Sequence, residues 1–377
     1  MTDTLFHSAF GAFPLERRPA TPNQPLQAWD AADDYLLQLA AQLPPAARTL
    51  IVNDSFGALG VALHERRPHS WGDSRNAHYA LADNLARNAL PDDAVTPLPA
   101  TAPPTGQYDL VLWRIPKSIA LLQQQAAWLR GAVTTGTRIL AGGMIKHLPE
   151  QTVELLRRLG TVDILHAQKK ARLFQVTFDP AQAEASLPAQ KPLIVGEYQL
   201  ELRGDANVFA RDKFDVGARF FLEQFAQLPR ARHIADLGCG NGVLGIVAQR
   251  LQPDAALHFF DESYQAVACA EHNYRRNIDI ETPQASFSVD DCLSHYRGEL
   301  FDLILCNPPF HQNHVLGDHI AWQMFMQSAR HLRRDGELWV VGNRHLQYHV
   351  KLRRLFGHCR VVAGNPKFVV LAARKTR

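Results

Sequence analysis

Two halves of the chain carry the same order of local signals, and an internal duplication of this kind restricts the fold more than any other feature. TLIVND (Thr49 to Asp54) is a short apolar run followed by a glycine turn and the helix-like ALGVALHERR. HIADLGCGNG is followed in the same way by VLGIVAQRL. SWGDS (Ser70 to Ser74) and HFFDES (His258 to Ser263) each set an acid at a strand end. YDLVLWRIPK (Tyr108 to Lys117) then lies opposite FDLILCNPPF (Phe301 to Phe310), TRILAGGM opposite GELWVVGN, and KKARLFQVTF opposite PKFVVLAARK. The offset grows only from 182 residues (Asp54 to Asp236) to 199 (Thr137 to Gly336), as short loop insertions would produce. Apolar runs alternating with helical periodicity predict two α/β copies, each a largely parallel, doubly wound sheet with its ligand at the carboxyl ends of the strands. The Ala-, Gln- and Pro-rich AQAEASLPAQKP (Ala181 to Pro192) reads as a linker and divides the chain into domains 1–190 and 191–377.

The 377 residues are enough for two such units. No apolar stretch reaches the length of a membrane span, and MTDTLFHSAFGAF lacks the basic and apolar regions of a secretory signal, so a soluble cytoplasmic protein without a membrane is expected. Five cysteines, Cys239, Cys269, Cys292, Cys306 and Cys359, form no CxxC pair and read as small buried thiols; no metal is expected. The net charge of +3 conceals a local excess, with 12 Lys or Arg over residues 330–377 against only Asp335 and Glu337. Such an excess fits either attraction to phosphates or a solvated face.

The chemistry is legible in the second half. Gly238, Gly240 and Gly242 allow a sharp turn after a strand, close to a ligand. Their GxGxG spacing differs from the GxGxxG that cradles a dinucleotide pyrophosphate, and a cofactor without phosphate, S-adenosylmethionine, fits it better. Asp236 ends the strand, Asp261 is placed for ribose hydroxyls, and Asp291, with Asp290 close behind, for an adenine amine; the alternative for the pair is a surface turn with a helix N-cap. Asn307, Pro308, Pro309 and Phe310 follow a buried strand directly. The prolines fix the backbone and remove two donors, so the Asn307 side-chain oxygen and the Pro308 carbonyl offer two acceptors to an exocyclic amine, with Phe310 stacking on its base. Phe209 and Arg219, in NVFARDKFDVGARFFLEQF, are weaker candidates for closing over the cofactor or base, and core packing explains Phe220, Phe221 and Phe225 equally well. In the first half Arg114 stands where Asn307 stands and Lys117 where Phe310 stands; counted from Asp54, DSFGALG is three residues shorter than DLGCGNGVLG. The first copy is therefore expected to be inactive and to bind substrate or support the fold.

At these residues, and at LQAWDAADDYLL, NDSFGALG, WRIPK, KKARL, FDES, CNPPFHQ, NRHLQYHVKLRRLFG and NPKFVVL, the chain resembles the bacterial two-domain rRNA guanine-N(2) methyltransferases over nearly its whole length. NDSFGALG, IPKSIALLQQQ and KKARL are closest to the 23S-directed branch. The resemblance implies two tandem Rossmann-like class I methyltransferase domains, the first degenerate. It also implies S-adenosylmethionine at Asp236, Gly238, Gly240, Gly242, Asp261 and Asp291, and methylation of a guanine 2-amine in rRNA held at Asn307 to Phe310. A paired base would have to be flipped out or met before RNA folding is complete, so an early assembly substrate is expected. A 16S target, an adenine 6-amine, a protein glutamine and a non-catalytic RNA-binding assembly role remain the alternatives.

Overall fold

The structure of the protein, a computed structural model, describes residues 4–19, 26–45, 48–183, 191–279, 285–309 and 314–376, with the side chains of 314–318 excepted. It comprises two compact units, Met1–Ala189 and Gln190–Arg377.

The first unit opens with a hairpin, β1 (Leu5–Ser8) and β2 (Gly11–Pro14), and helix α1 (Ala31–Ala40). Its sheet then builds through β3 (Thr49–Val52), α2 (Ala58–Ala62), β4 (His69–Gly72), α3 (Arg75–Arg87), β5 (Thr96–Pro99) and β6 (Leu110–Arg114). α4 (Ile119–Leu129), β7 (Arg138–Met144), α5 (Thr152–Arg157), β8 (Gly160–Ile164) and β9 (Ala171–Phe178) complete it. The second unit repeats this plan: hairpin β10 (Leu193–Val195) and β11 (Leu200–Leu202), then α6 (Val216–Leu222), β12 (His233–Leu237), α7 (Val243–Leu251), β13 (Ala256–Asp261), α8 (Tyr264–Asn277) and β14 (Ala285–Val289). β15 (Phe301–Cys306), α9 (His314–His331), β16 (Leu332–Asn343), α10 (Tyr348–Phe356), β17 (Arg360–Gly364) and β18 (Phe368–Arg374) follow.

The sheet orders are β5-β4-β3-β6-β7-β9-β8 and β14-β13-β12-β15-β16-β18-β17, one topology used twice. All neighbours are parallel except those involving β9 and β18, which run antiparallel. Residues along the central strands are buried on both sides, which is why LILC and LWVV are continuous apolar runs and do not alternate with polar residues. Ile234, Leu303, Leu305, Trp339 and Val341 pack against α6, α7 and α8, while Ala235, Leu237, Ile304, Cys306, Leu338 and Val340 pack against α9 and α10. By this alternation Asp236 and Asn307 project to the face carrying α6 and α7. Both stand at the carboxyl ends of β12 and β15, where the strand order reverses and α/β sheets leave a crevice.

Smaller expectations are resolved in the same way. Cys239, Cys269, Cys306 and Cys359 are buried free thiols and Cys292 is partly buried. Phe221 and Phe225 lie in the core in edge-to-face contact, and Phe220 stacks on Phe368. Part of the basic excess near the C-terminus is neutralised locally: Arg333 meets Glu299 and Asp302, Arg360 meets Glu337, and Arg374 meets Asp335. Among the described residues no helix is long and apolar enough to cross a membrane. Much of the Ala181 to Pro192 linker (184–190) lies outside the described residues.

Candidate functional site

The glycine loop leaves β12 with Gly238, Gly240 and Gly242 at φ of 73°, 54° and 81°, all in the left-handed region where a Cβ is costly. Their neighbours differ. A Cβ on Gly242 would press on Ala270 at 3.0–3.1 Å, so this glycine serves the packing of α7 on α8. A Cβ on Gly240 would meet nothing within 4 Å: this part of the loop faces open space. The loop is tied down by backbone bonds from Gly238 and Cys239 to the Phe260 carbonyl (2.8 and 2.9 Å) and by Gly240 N–H donating to Asp261 Oδ2 (3.0 Å). The second Asp261 oxygen accepts from Ser263 N–H at 3.0 Å, and burial pushes this carboxyl up. Asp236 Oδ2 accepts from Gly245 N–H at 2.9 Å, while Oδ1 is buried with no partner among the described residues; burial pushes the carboxyl up to about 8.

The next strand end separates the two adjacent acids. Asp290 is engaged in its own turn: its oxygens accept from Asp291 N–H (2.8 Å) and His295 N–H (2.8 Å), and the His295 ring nitrogen Nδ1 lies 2.7 Å away. Asp291 accepts from Gln323 Nε2 of α9 at 2.7 Å.

Asn307 leaves β15 with its two amide atoms in different surroundings. Its Nδ2 donates to Asp215 Oδ2 at 3.4 Å, whereas Oδ1 is buried with no hydrogen-bond partner among the described residues. Because a carboxylate only accepts, Nδ2 is the atom that must face Asp215. Leaving a buried acceptor unpaired costs about 1–3 kcal/mol, which an arriving donor would recover. Pro308 is buried and Pro309 exposed; Phe310 lies outside the described residues. Phe209 is exposed, and Arg219 is exposed with its guanidinium 5.3 Å from the Phe214 ring centre. Among the described residues neither makes a hydrogen bond, ion pair or ring contact with Asn307 or the glycine loop.

Asp215 was not singled out by sequence reasoning. It is the N-cap of α6, accepting from Ala218 N–H at 2.7 Å with the same oxygen that holds Asn307. An Asp just ahead of a helical aromatic run is an N-cap signal, but nothing local ties that cap to a strand end 92 residues later.

The first unit shows what became of the same positions. Strand pairing aligns Val52 with Trp71 and Trp113, as it aligns Leu237 with Phe260 and Cys306. Asn53 therefore occupies the place of Gly238, and it too has a left-handed φ (61°) and donates its backbone N–H to the neighbouring strand, at Trp71 O. Gly57 matches Gly242 as helix N-cap, at φ 82° against 81°. The expected three-residue deficit disappears: residues 53–56 and 238–241 are loops of equal length. The apparent gap arose from pairing Asp54 with Asp236. By register Ile51 stands opposite Asp236, and Asp54 reaches Gly60 N–H (2.8 Å) from beyond the strand, the same helix-anchoring bond made from another position. Ser55 stands at the place of Gly240 and Gly72 at that of Asp261. Asn53 folds inward, donating to Arg114 O (2.8 Å) and Gln125 Oε1 (2.9 Å). Arg114, in the place of Asn307, is held by both oxygens of Asp30 (2.8 and 2.7 Å) and lies 3.4 Å from Asp33. Asp30 is the N-cap of α1, as Asp215 is of α6. An ion pair fills what in the second unit is an open acceptor.

Residues 3–180 match the RLMG N-terminal domain and residues 199–372 the methyltransferase small domain. Relatives named ribosomal RNA large subunit methyltransferase G, from Stutzerimonas stutzeri and Ectopseudomonas mendocina, are each 46% identical over 98% of this chain and cover 99% and 100% of those proteins. The Pseudomonas aeruginosa relative of the same name is 45% identical over 98% of the chain. The chain belongs to the ribosomal RNA large subunit methyltransferase G family. A solved T. thermophilus 16S rRNA N2 methyltransferase, in complex with AdoMet and guanosine, matches 99% of the chain and 97% of its own at a TM-score of 0.76 and 20% identity. That likeness shows this chain to have the same fold, two Rossmann-like units in tandem.

Proposed function

We propose that the second unit transfers a methyl group from S-adenosylmethionine to the exocyclic 2-amine of a guanine in 23S rRNA. The observation that carries this reading is the buried Oδ1 of Asn307, unpaired among the described residues, directly ahead of Pro308 and Pro309. The name of the family's relatives supports a large-subunit RNA substrate.

The residues fit the cofactor. Gly240 offers backbone with open space where a side chain would stand, and Asp236 keeps one buried oxygen without a partner among the described residues. Asp261 reaches the same loop from the next strand, where ribose hydroxyls would meet it, and Asp291 lies two residues past the end of the strand beyond, β14. Asp290 is the weaker candidate for the adenine because its turn engages both oxygens. When bound, S-adenosylmethionine supplies a methyl group already activated on a sulfonium. The protein's part is then positioning more than acid–base chemistry. Asn307 Oδ1 and the Pro308 carbonyl accept the two amine N–H groups and aim the nitrogen lone pair at the methyl. Phe310 follows in sequence where it would stack on the base. The surplus proton leaves to water.

The first unit lacks both halves of this arrangement, since Arg114 replaces the acceptor and Asn53 and Ser55 replace loop glycines. We assign it to holding RNA or supporting the fold. The reaction belongs in the cytosol with its substrate, and to rRNA before assembly is complete.

The test is methyl incorporation into free 23S rRNA, 16S rRNA, intact large subunits and protein release factor, followed by nucleoside mass spectrometry. N2-methylguanine in free 23S rRNA is expected, and Asn307→Ala should abolish it while cofactor binding, measured by calorimetry, stays within about threefold, because the glycine loop is untouched. Modified protein without modified RNA, preference for intact subunits, or unchanged turnover in Asn307→Ala would each overturn the corresponding part.

A further inference from the structure

We infer that Asp215 is a positioning residue for methyl transfer: it fixes which atom of the Asn307 amide faces the target amine. This rests on the reading of Asn307 given above.

An asparagine amide is nearly symmetric in shape, and its two orientations present opposite chemistry. With Oδ1 toward the substrate, the amine N–H groups find an acceptor and the nitrogen lone pair stays free. With Nδ2 toward the substrate, a donor would face the amine nitrogen and tie up the lone pair that has to attack. Asp215 selects between them. Its Oδ2 lies 3.4 Å from Nδ2, and turning the amide over would set oxygen against carboxylate oxygen. Oδ1 is thereby directed away, and it is the buried atom left without a partner among the described residues. Asp215 is itself fixed, because the same oxygen accepts from Ala218 N–H at 2.7 Å as the cap of α6.

The first unit gives an independent view of this contact. There too the N-cap aspartate of the leading helix, Asp30, reaches the residue that follows the fourth strand of the sheet in chain order or ends it, here Arg114. The contact between cap and strand end thus belongs to the duplicated fold. What differs is its yield: Arg114 satisfies both Asp30 oxygens and leaves no acceptor, while Asn307 spends one amide atom on Asp215 and keeps the other available.

Capping and positioning separate by substitution. Ser and Asn both cap helices about as well as Asp. In Asp215→Asn the amide oxygen can still accept from both Ala218 and Asn307, whereas in Asp215→Ser the shorter hydroxyl can cap but not reach the amide. Steady-state kinetics of the full chain with 23S rRNA and S-adenosylmethionine should show kcat about tenfold lower in Asp215→Ser, the size of one lost hydrogen bond to a charged group, with both KM values within about twofold. Asp215→Asn should recover most of kcat, and the melting temperatures of both variants should stay near that of the parent. Unchanged kcat in Asp215→Ser, or a kcat loss tracking a drop in melting temperature, overturns the inference. If Asn307→Ala also keeps its turnover, the site itself is misassigned; if Asn307→Ala is inactive while Asp215→Ser is normal, only the positioning role fails.

Discussion

Replacing Arg114 by Ala should destabilise the first unit by about 3 kcal/mol, at the lower end of the ~3–5 kcal/mol typical when one partner of a buried ion pair is removed. The buried regime applies because the Arg114 and Asp33 side chains are only 16% and 10% exposed. Asp30 loses two charge-assisted bonds, at 2.8 and 2.7 Å, but is 36% exposed and can rehydrate. Asp33, whose carboxyl burial already pushes up to about 7, can escape by taking a proton at neutral pH. Those two outlets set the value near the low end. For a unit of this size about 3 kcal/mol corresponds to roughly 6–12 °C in melting temperature. The pH dependence has a definite sign. A carboxyl raised in the folded state contributes stability fully below its unfolded value near 4 and loses it as pH rises through the folded value. Removing Arg114 raises the folded value of Asp33 further, so the deficit of Arg114→Ala should be larger at pH 8 than at pH 5.5. Scanning calorimetry of the full chain at both pH values tests this, with Asn307→Ala as the matched control at the corresponding position. That control removes an unpaired acceptor and should cost little stability. A melting temperature for Arg114→Ala within 2 °C of the parent at pH 8 would refute the reasoning.

Two loop glycines should fail in different ways. Gly242→Ala meets Ala270 at 3.0 Å as well as an unfavourable φ, and should lower the melting temperature clearly; Gly240→Ala meets nothing and should cost only the backbone strain of about 1 kcal/mol while weakening S-adenosylmethionine binding at least tenfold, as calorimetric titration would show. Asp236, pushed up to about 8, makes the cofactor-free protein lose stability between about pH 4 and pH 8; Asp236→Asn has no such titration, so its melting temperature relative to the parent should rise from pH 5 to pH 8, and parallel pH profiles would contradict this.

The duplication, the strand sequence and the motif positions were legible in the chain because each depends on local pattern: apolar runs of strand length, glycines at turns, an Asn-Pro-Pro after a buried strand. FDLILC forms a strand directly ahead of Asn307, as expected, over Phe301–Cys306. Local pattern could not fix the register between the halves. Matching Asp54 with Asp236 produced a false gap, because an identical residue type made the same helix-anchoring bond from a different place, and only the strand pairing shows that Ile51 is the partner position. Local pattern ranked Asp291 ahead of Asp290 without showing how these neighbours differ: Asp290 turns back onto His295 and Asp291 reaches Gln323 on α9. Least visible of all were Asp215 and Asp30. Each reads as an ordinary helix cap, and each acquires its second role only when packing brings a helix N-terminus against a strand end far along the chain. The sequence by itself determined which chemical groups the protein owns and the strand ends that carry them. Tertiary structure decided which atom of Asn307 is left free and that Arg114 closes the same place in the first copy, because hydrogen-bond direction and burial depend on neighbours that sequence distance does not reveal.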